Sequence, residues 1–322
     1  MKAARIVVLA VLFMIVCATG VLRAQEAQQP GAVTGPSPAT PPGGAVTGPA
    51  PTTAPGGAVT GPAPTTAATP AAAAAPAAPA VTGTASVSLL NQYMFRGYQL
   101  GKDSAVIQPS LSASYQGFSA SFWGNIDTNE KATQNFIPDS RGHSSFNETD
   151  LTLSYTYTAG KWGFTGGWIY YGLRYANETQ ELFGSVSYDC YLKPTLAIYR
   201  DIMAYPGWYM NLSVGHSYKI YKEVTLDLGA SAGYEIGTGN FWDTYQAATG
   251  AYTGSKYSAF HDGMLKAGLT IPVTKQVVVQ PMLAYWFPLS DDAQKRIAGN
   301  SYNPDGYLKN LWQGGVTVSY NF

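Results

Sequence analysis

From Thr84 to the final residue, apolar and polar positions alternate with a period of two rather than 3.6, as in strands whose two faces meet different surroundings. The segment from Glu223 to Ile236 shows this most cleanly. Val224, Leu226, Leu228, Ala230, Ala232, Tyr234 and Ile236 share one face, and Glu223, Thr225, Asp227, Gly229, Ser231, Gly233 and Glu235 share the other. Alternation alone leaves two architectures open. In a soluble sandwich the apolar face points into a core, whereas in a membrane barrel the same face points outward into lipid.

Segment and loop lengths separate the two. The pattern predicts strands near 84–95, 104–115, 117–127, 147–158, 161–171, 180–189, 193–201, 207–218, 223–236, 257–271, 275–287 and 311–322. That is an even set, as single-chain bacterial barrels require, and most members reach the roughly 9–11 residues needed to cross a bilayer. Short links near Gln116-Gly117, Ala159-Gly160, Cys190-Leu192, Lys219-Lys222 and Pro272-Thr274 alternate with longer ones near 96–103, 128–146, 172–179, 202–206, 237–256 and 288–310. Short periplasmic turns facing long outer loops are the expected asymmetry. Aromatics gather where strands meet links: Tyr93, Phe95, Trp168, Tyr170, Trp208, Tyr285 and Phe287 at the long-loop end, Tyr115, Phe118, Tyr157, Trp162, Tyr218 and Phe322 at the other. They would form two interfacial girdles. The expected fold class is all-β: a transmembrane antiparallel up-and-down β-barrel of about 12 strands, preceded by a disordered Pro/Ala/Gly-rich segment.

The start of the chain changes the picture in its own way. Lys2 and Arg5 precede an apolar run from Ile6 to Val16, which is too short to span a bilayer and reads as a signal peptide over residues 1–24, cleaved after Ala24. Met14-Ile15-Val16 lacks the small residue expected beside a lipidated cysteine, which weighs against reading Cys17 as a lipoprotein's anchor. Residues 25–83 are almost wholly Ala, Pro, Gly, Thr and Val, with a repeated unit beginning at Pro30, Pro42 and Pro55. Such a segment buries too little to offset its ordering entropy, so a periplasmic tether is expected, with a reach of roughly 45 Å as coil and about 180 Å as polyproline II. The barrel is assigned to 84–322.

Composition removes several function classes. With Cys17 gone, Cys190 is the one remaining thiol, so neither an intrachain disulfide nor a cysteine metal site is available. Nineteen basic and nineteen acidic residues balance, which argues against nucleic-acid binding. A mean hydropathy of −0.06 excludes a bundle of membrane helices and suits strands that mix both residue kinds.

Two stretches carry a resemblance. Val316-Thr317-Val318-Ser319-Tyr320-Asn321-Phe322 resembles the C-terminal assembly signal of outer-membrane barrels, with Phe322 and Tyr320 as its aromatic positions. Asn91-Gln92-Tyr93-Met94-Phe95-Arg96-Gly97, then Tyr115-Gln116-Gly117-Phe118-Ser119-Ala120-Ser121-Phe122-Trp123-Gly124-Asn125-Ile126-Asp127, then Glu148-Thr149-Asp150-Leu151, resembles the TorF-type porin family, an uncharacterised proteobacterial family of outer-membrane barrels. Asn125 stands where that family has Ser, and the long tether is foreign to its pattern. The resemblance covers the first third of the barrel and implies a porin, with no catalytic residues to carry over.

Catalysis finds little support in the residues. Outer-membrane phospholipases act on twelve-stranded barrels with a His-x-Ser-Asn-Gly motif that is absent here. Of His143, His216 and His261, only His216 adjoins a strand serine, Ser217, and parity sends the two to opposite faces. No two histidines lie within helix or hairpin reach, so no metal or other cofactor is expected. Parity instead directs Arg96, Asp127, Glu148, Asp150, Lys161, Asp189, Glu223, Asp227, Glu235, Asp262 and Lys266 inward as pore-lining candidates. The acidic excess among them implies a weak cation preference if a pore is open. Small barrels also fill their interiors with paired polar side chains, so each of these charges has a structural reading beside the functional one. Arg200 falls on the outward face, where it must snorkel or be moved by a bulge.

The expected function is passive diffusion of small hydrophilic solutes across the outer membrane of a Gram-negative bacterium. The alternative is a non-transporting structural barrel tethered to peptidoglycan or a periplasmic protein, with a lipid hydrolase a distant third. Expected partners are outer-membrane lipid, lipopolysaccharide and the barrel-assembly machinery.

Overall fold

The computed structural model describes residues 81–133, 138–246, 249–294, 296–297, 300–301 and 307–322; the expected signal peptide and nearly all of the tether lie outside them. The alternation resolves into twelve strands: β1 (Thr82–Leu90), β2 (Val106–Tyr115), β3 (Phe118–Asp127), β4 (Ser145–Ala159), β5 (Trp162–Leu173), β6 (Thr179–Tyr188), β7 (Thr195–Asp201), β8 (Gly207–Tyr221), β9 (Val224–Gly237), β10 (Ser258–Pro272), β11 (Val277–Pro288) and β12 (Leu311–Asn321). Each pairs antiparallel with the next, and β12 pairs with β1 to close the barrel. At the seam Gly83 and Phe322 exchange backbone hydrogen bonds of 2.8 and 3.0 Å.

Short turns form where the sequence supplies the right backbone. Gln116 and Gly117 both have positive φ, 50° and 88°, between the paired Tyr115 and Phe118, a two-residue turn whose twist matches its flanking strands. Outward positions are apolar and exposed, among them Leu111, Leu153, Leu182, Leu212 and Leu265. An apolar belt of this kind is stable only when it faces lipid or is covered. Of the aromatics expected in the girdles, Tyr115, Phe118, Tyr157, Trp162, Tyr218 and Phe322 are exposed at the short-turn end and Trp208 at the other.

The interior differs sharply between its two halves. Towards the short turns it is lined by small hydroxyl side chains that bond across strands, such as Ser86 to Ser110 at 2.8 Å and Ser88 to Thr317 at 2.8 Å. These residues are partly exposed. Towards the long loops the interior is filled. β1 stops at Leu90 instead of running to 95, and residues 91–105 turn inward as a small hairpin pairing Met94 with Gln99 and Phe95 with Tyr98. Tyr93 and Phe95 are therefore not girdle residues. They are 4% and 1% exposed and join Leu90, Tyr98, Leu100, Val106, Ala293 and Leu308 in a hydrophobic core inside the barrel. Burying each large ring there contributes about 1.5–3 kcal/mol. Ala293 and Leu308 come from the last long loop, where the Leu308 amide donates to the Ala293 carbonyl at 2.7 Å. Trp242, Tyr257 and Ala259 form a second cluster nearby.

Candidate functional site

The filled half gathers the chain's buried charge around the tip of the inner hairpin. Arg96 and Gly97 are the tip's two central residues, with φ of 45° and 81°, the backbone of a type I′ turn. Gly97 is required twice over. Its φ favours glycine, and a Cβ there would lie 2.5 Å from Leu308 Cδ2 and 2.7 Å from Asp262 Cβ. The turn thus wedges against the wall and aims Arg96 across the lumen at β6.

Arg96 donates from both terminal nitrogens to the two carboxylate oxygens of Glu181, each at 2.8 Å, with the two residues 9% and 2% exposed. The fork geometry is the strong form of this pairing. The guanidinium also lies against three rings, with centroids at 4.7 Å for Phe95, 4.8 Å for Tyr199 and 4.3 Å for Tyr209. Tyr171 donates to Glu181 at 2.7 Å. Burial works against the charge on Arg96, and Glu181, with Tyr171 and Glu235 adding to it, more than offsets this and holds the guanidinium above its ordinary pKa.

Further carboxylates face the same region. Tyr93 donates to Glu148 at 3.2 Å and Tyr209 donates to Asp262 at 2.9 Å. Asp150, Glu235 and Asp262 are buried, yet Asp150 Oδ1 and Asp262 Oδ2 accept no hydrogen bond. Two bulges shape this wall. The pairing of Asn125 with Glu148 and Ile126 with Phe146 leaves Asn147 as an extra residue in β4, while Ala232 with Gly263 and Tyr234 with Phe260 leave His261 and Asp262 opposite Gly233. The second bulge turns both His261 and Asp262 inward. His261 bonds the Tyr257 hydroxyl through Nδ1 at 2.8 Å and packs on Tyr98, with centroids 4.8 Å apart.

The charged residues expected inside thus fall into three groups. Arg96, Glu148, Asp150, Glu235 and Asp262 converge in the filled half, and Asp127 lies there too, capping the Asn129 amide at 2.9 Å. Asp227 and Lys266 lie nearer the short turns, with Asp227 accepting from Thr225 at 3.1 Å and Thr270 at 2.7 Å. Lys161, Asp189 and Glu223 do not line the interior at all. They are exposed in the turns, because the ladders close at Ala159 and Trp162, at Ser187 and Thr195, and at Tyr221 and Val224, and strand parity has no meaning beyond those pairs. Glu223 pairs with Lys219, at 3.1 Å on the surface. Tyr320 and Phe322 are exposed and stacked, with centroids 6.4 Å apart.

His143 is exposed, and His216 lies outward, stacked on Tyr191 at 3.9 Å and bonded to its carbonyl at 2.6 Å. Among the described residues no set of three or more His, Cys, Asp or Glu is arranged to hold a metal ion. Arg200 is outward, as expected. No register shift interrupts its pairing with β8; it donates to Thr238 at 2.7 Å and its guanidinium lies 5.1 Å from the Trp208 ring centroid, a snorkelling arrangement at the barrel's edge.

Small clefts open between the described residues of the filled half. One of about 20 Å³ adjoins Tyr93, Glu148 and Tyr175, and one of about 10 Å³ adjoins Arg96, Glu181 and Glu235. Each has room for about one water molecule.

No protein-family model matches the chain, and no curated protein matches it. Among solved structures it is similar to a KdgM porin (12% identity, TM-score 0.43, covering 74% of this chain and 99% of that one) and to a NanC porin (12%, 0.41, 75% and 99%). It is similar also to the COG4313 outer membrane channel from Pseudomonas putida F1 (8%, 0.43, 79% and 100%). The barrel itself is established by the chain's own strand ladder.

Glu181, Tyr98 and His261 were not among the residues expected at the site. Glu181 was readable, since it shares the inward parity of 183, 185 and 187 on β6. Tyr98 had a fainter signal, the flanking of Arg96-Gly97 by Phe95 and Tyr98 as cross-strand partners of a two-residue turn. His261 had none, because the bulge that turns it inward leaves no mark in the alternation.

Proposed function

We propose that this chain is an outer-membrane channel for small hydrophilic solutes, represented here with its outer half closed by the inner hairpin. The observation that carries the reading is the asymmetry of the interior. A hydroxyl-lined half, partly exposed, leads to a closure in which the inserted segment packs with Ala293 and Leu308 of the last long loop against the strand wall. A wall of serine and threonine suits passing water and polar solutes. Membership of the TorF-type porins is part of this proposal, as is a cation preference arising from Asp150, Glu181, Glu235 and Asp262 on the wall. Peptidoglycan or a periplasmic partner for the tether, and lipopolysaccharide around the barrel, belong here as well.

One feature favours the second reading, a structural barrel without transport. The filled half is packed like a soluble core, and packing of that kind is stable without any opening. Planar-bilayer recording of the purified protein tests the proposal. Discrete conductance steps in the wild type, or in a variant lacking residues 92–104, support the channel. Silence from both, with the barrel folded, supports the structural barrel.

A further inference from the structure

The wall around Arg96 holds its guanidinium as a binding site holds a free organic cation. Every element of such a site is supplied by the barrel strands. Glu181 takes both terminal nitrogens at 2.8 Å, Tyr171 fixes that carboxylate with a bond of 2.7 Å, and the neighbouring rings of Tyr199 and Tyr209 lie against the cation at 4.8 and 4.3 Å. Carboxylate fork and aromatic faces together are the chemistry that recognises guanidinium and alkylammonium groups. The link between Arg96 and this wall is a two-residue turn on a hairpin of two-residue strands.

The wall carries more carboxyl groups than Arg96 requires. Glu181 alone pairs with it, yet Asp150 and Asp262 are also buried there, each with a carboxylate oxygen that accepts no hydrogen bond. A carboxylate oxygen buried without a hydrogen bond is costly, so a fold that only needed to seat one arginine gains nothing from these two. Each offers an unused acceptor oxygen to a further donor that approaches.

We propose that the inner wall of the filled half is a binding site for solutes bearing a guanidinium or primary amine, and that Arg96 is its built-in occupant. An incoming cation of this class exchanges with Arg96 and releases the hairpin. The inference deepens the channel reading and rests on it only for the route of entry, because binding at the wall stands on the geometry alone.

Methylguanidinium and the full-length protein, refolded in detergent, test the site. Arg96→Ala empties it. Methylguanidinium at millimolar concentration should raise the melting temperature of Arg96→Ala, whereas sodium at the same concentration should not, and the wild type should respond weakly because its site is filled. Adding Glu181→Gln to Arg96→Ala should weaken the apparent affinity by about tenfold or more, the value of a charge-assisted bond. If Arg96→Ala does not refold, methylguanidinium in the refolding buffer should restore the folded form.

An equal response in the single and double variants overturns the site, as does the absence of any methylguanidinium effect on Arg96→Ala. So does failure of the refolding rescue while Arg96→Lys folds normally. Conductance separates this outcome from that of the channel reading. Methylguanidinium binding without conductance in any variant keeps the site and removes the channel; conductance of Arg96→Ala without methylguanidinium binding does the reverse.

Discussion

Arg96 and Glu181 lie 85 positions apart in the chain and meet inside the barrel through two parallel bonds of 2.8 Å. This is the polar contact that ties the hairpin tip to a strand on the far side of the lumen. Removing one partner leaves the other buried and uncompensated, which costs about 3–5 kcal/mol. Glu181→Gln should therefore loosen the hairpin while the strands stay closed. Hydrogen exchange checks this: the amides of Leu100 and Gly101, which donate to the Tyr93 carbonyl at 2.8 and 3.2 Å, should lose protection ahead of those in β8 and β9.

Gly97→Ala should loosen the same segment by a different route. The added methyl meets Leu308 and Asp262 at under 3 Å and sits on a backbone with φ of 81°. Steric strain and overpacking together cost about 2–4 kcal/mol. Equilibrium unfolding in urea and micelles should show that loss, and Gly250→Ala, where φ is 68° but a Cβ has nothing within 4 Å, should show only the smaller part due to backbone strain.

Deletion of Phe322 should impair assembly far more than deletion of the tether. Phe322 supplies the last backbone exchange of the seam with Gly83 and the terminal aromatic of the β12 pattern. The amount of heat-modifiable, folded protein in the outer membrane is the readout. Normal levels after the deletion would disprove the assembly-signal reading.

Epitope tags inserted after Gly142 or Gly250 should be reachable on intact cells, because both positions are exposed in long loops. A tag at Lys222, in a short turn on the opposite end, should be reachable only after permeabilisation. The reverse pattern would mean that the barrel is inverted.

Neutralising Asp227 and Glu235 together, as Asn and Gln, should shift the reversal potential in a salt gradient towards anions. The sign follows from removing two negative charges from the lumen face of β9, and the shift should be larger at low salt, where the screening length exceeds about 10 Å. Unchanged selectivity with intact conductance would put these carboxylates outside the ion path.

The twelve barrel strands were legible because a two-residue period, repeated with turns of suitable chemistry, leaves little freedom in where a strand begins or which face is apolar. The inner hairpin was not. Its strands, Met94–Phe95 and Tyr98–Gln99, are too short to show a period, so Tyr93 and Phe95 read as a continuation of β1. Tertiary packing against Leu308 and Val106 decided their place. The site was half legible for a related reason. Parity predicts facing only within an unbroken ladder, which is why it served Glu148 and Glu235, overreached at Lys161, Asp189 and Glu223 beyond the ladder ends, and could say nothing of His261 at a bulge.

The seam also fixes how the barrel bears load. The chain that precedes Thr82 continues directly into β1, which is hydrogen-bonded along its length to β2 on one side and β12 on the other. Those bonds run perpendicular to the strands. A load applied at Thr82 along the axis of β1 therefore puts both ladders in shear, so that their bonds must yield together and not one after another.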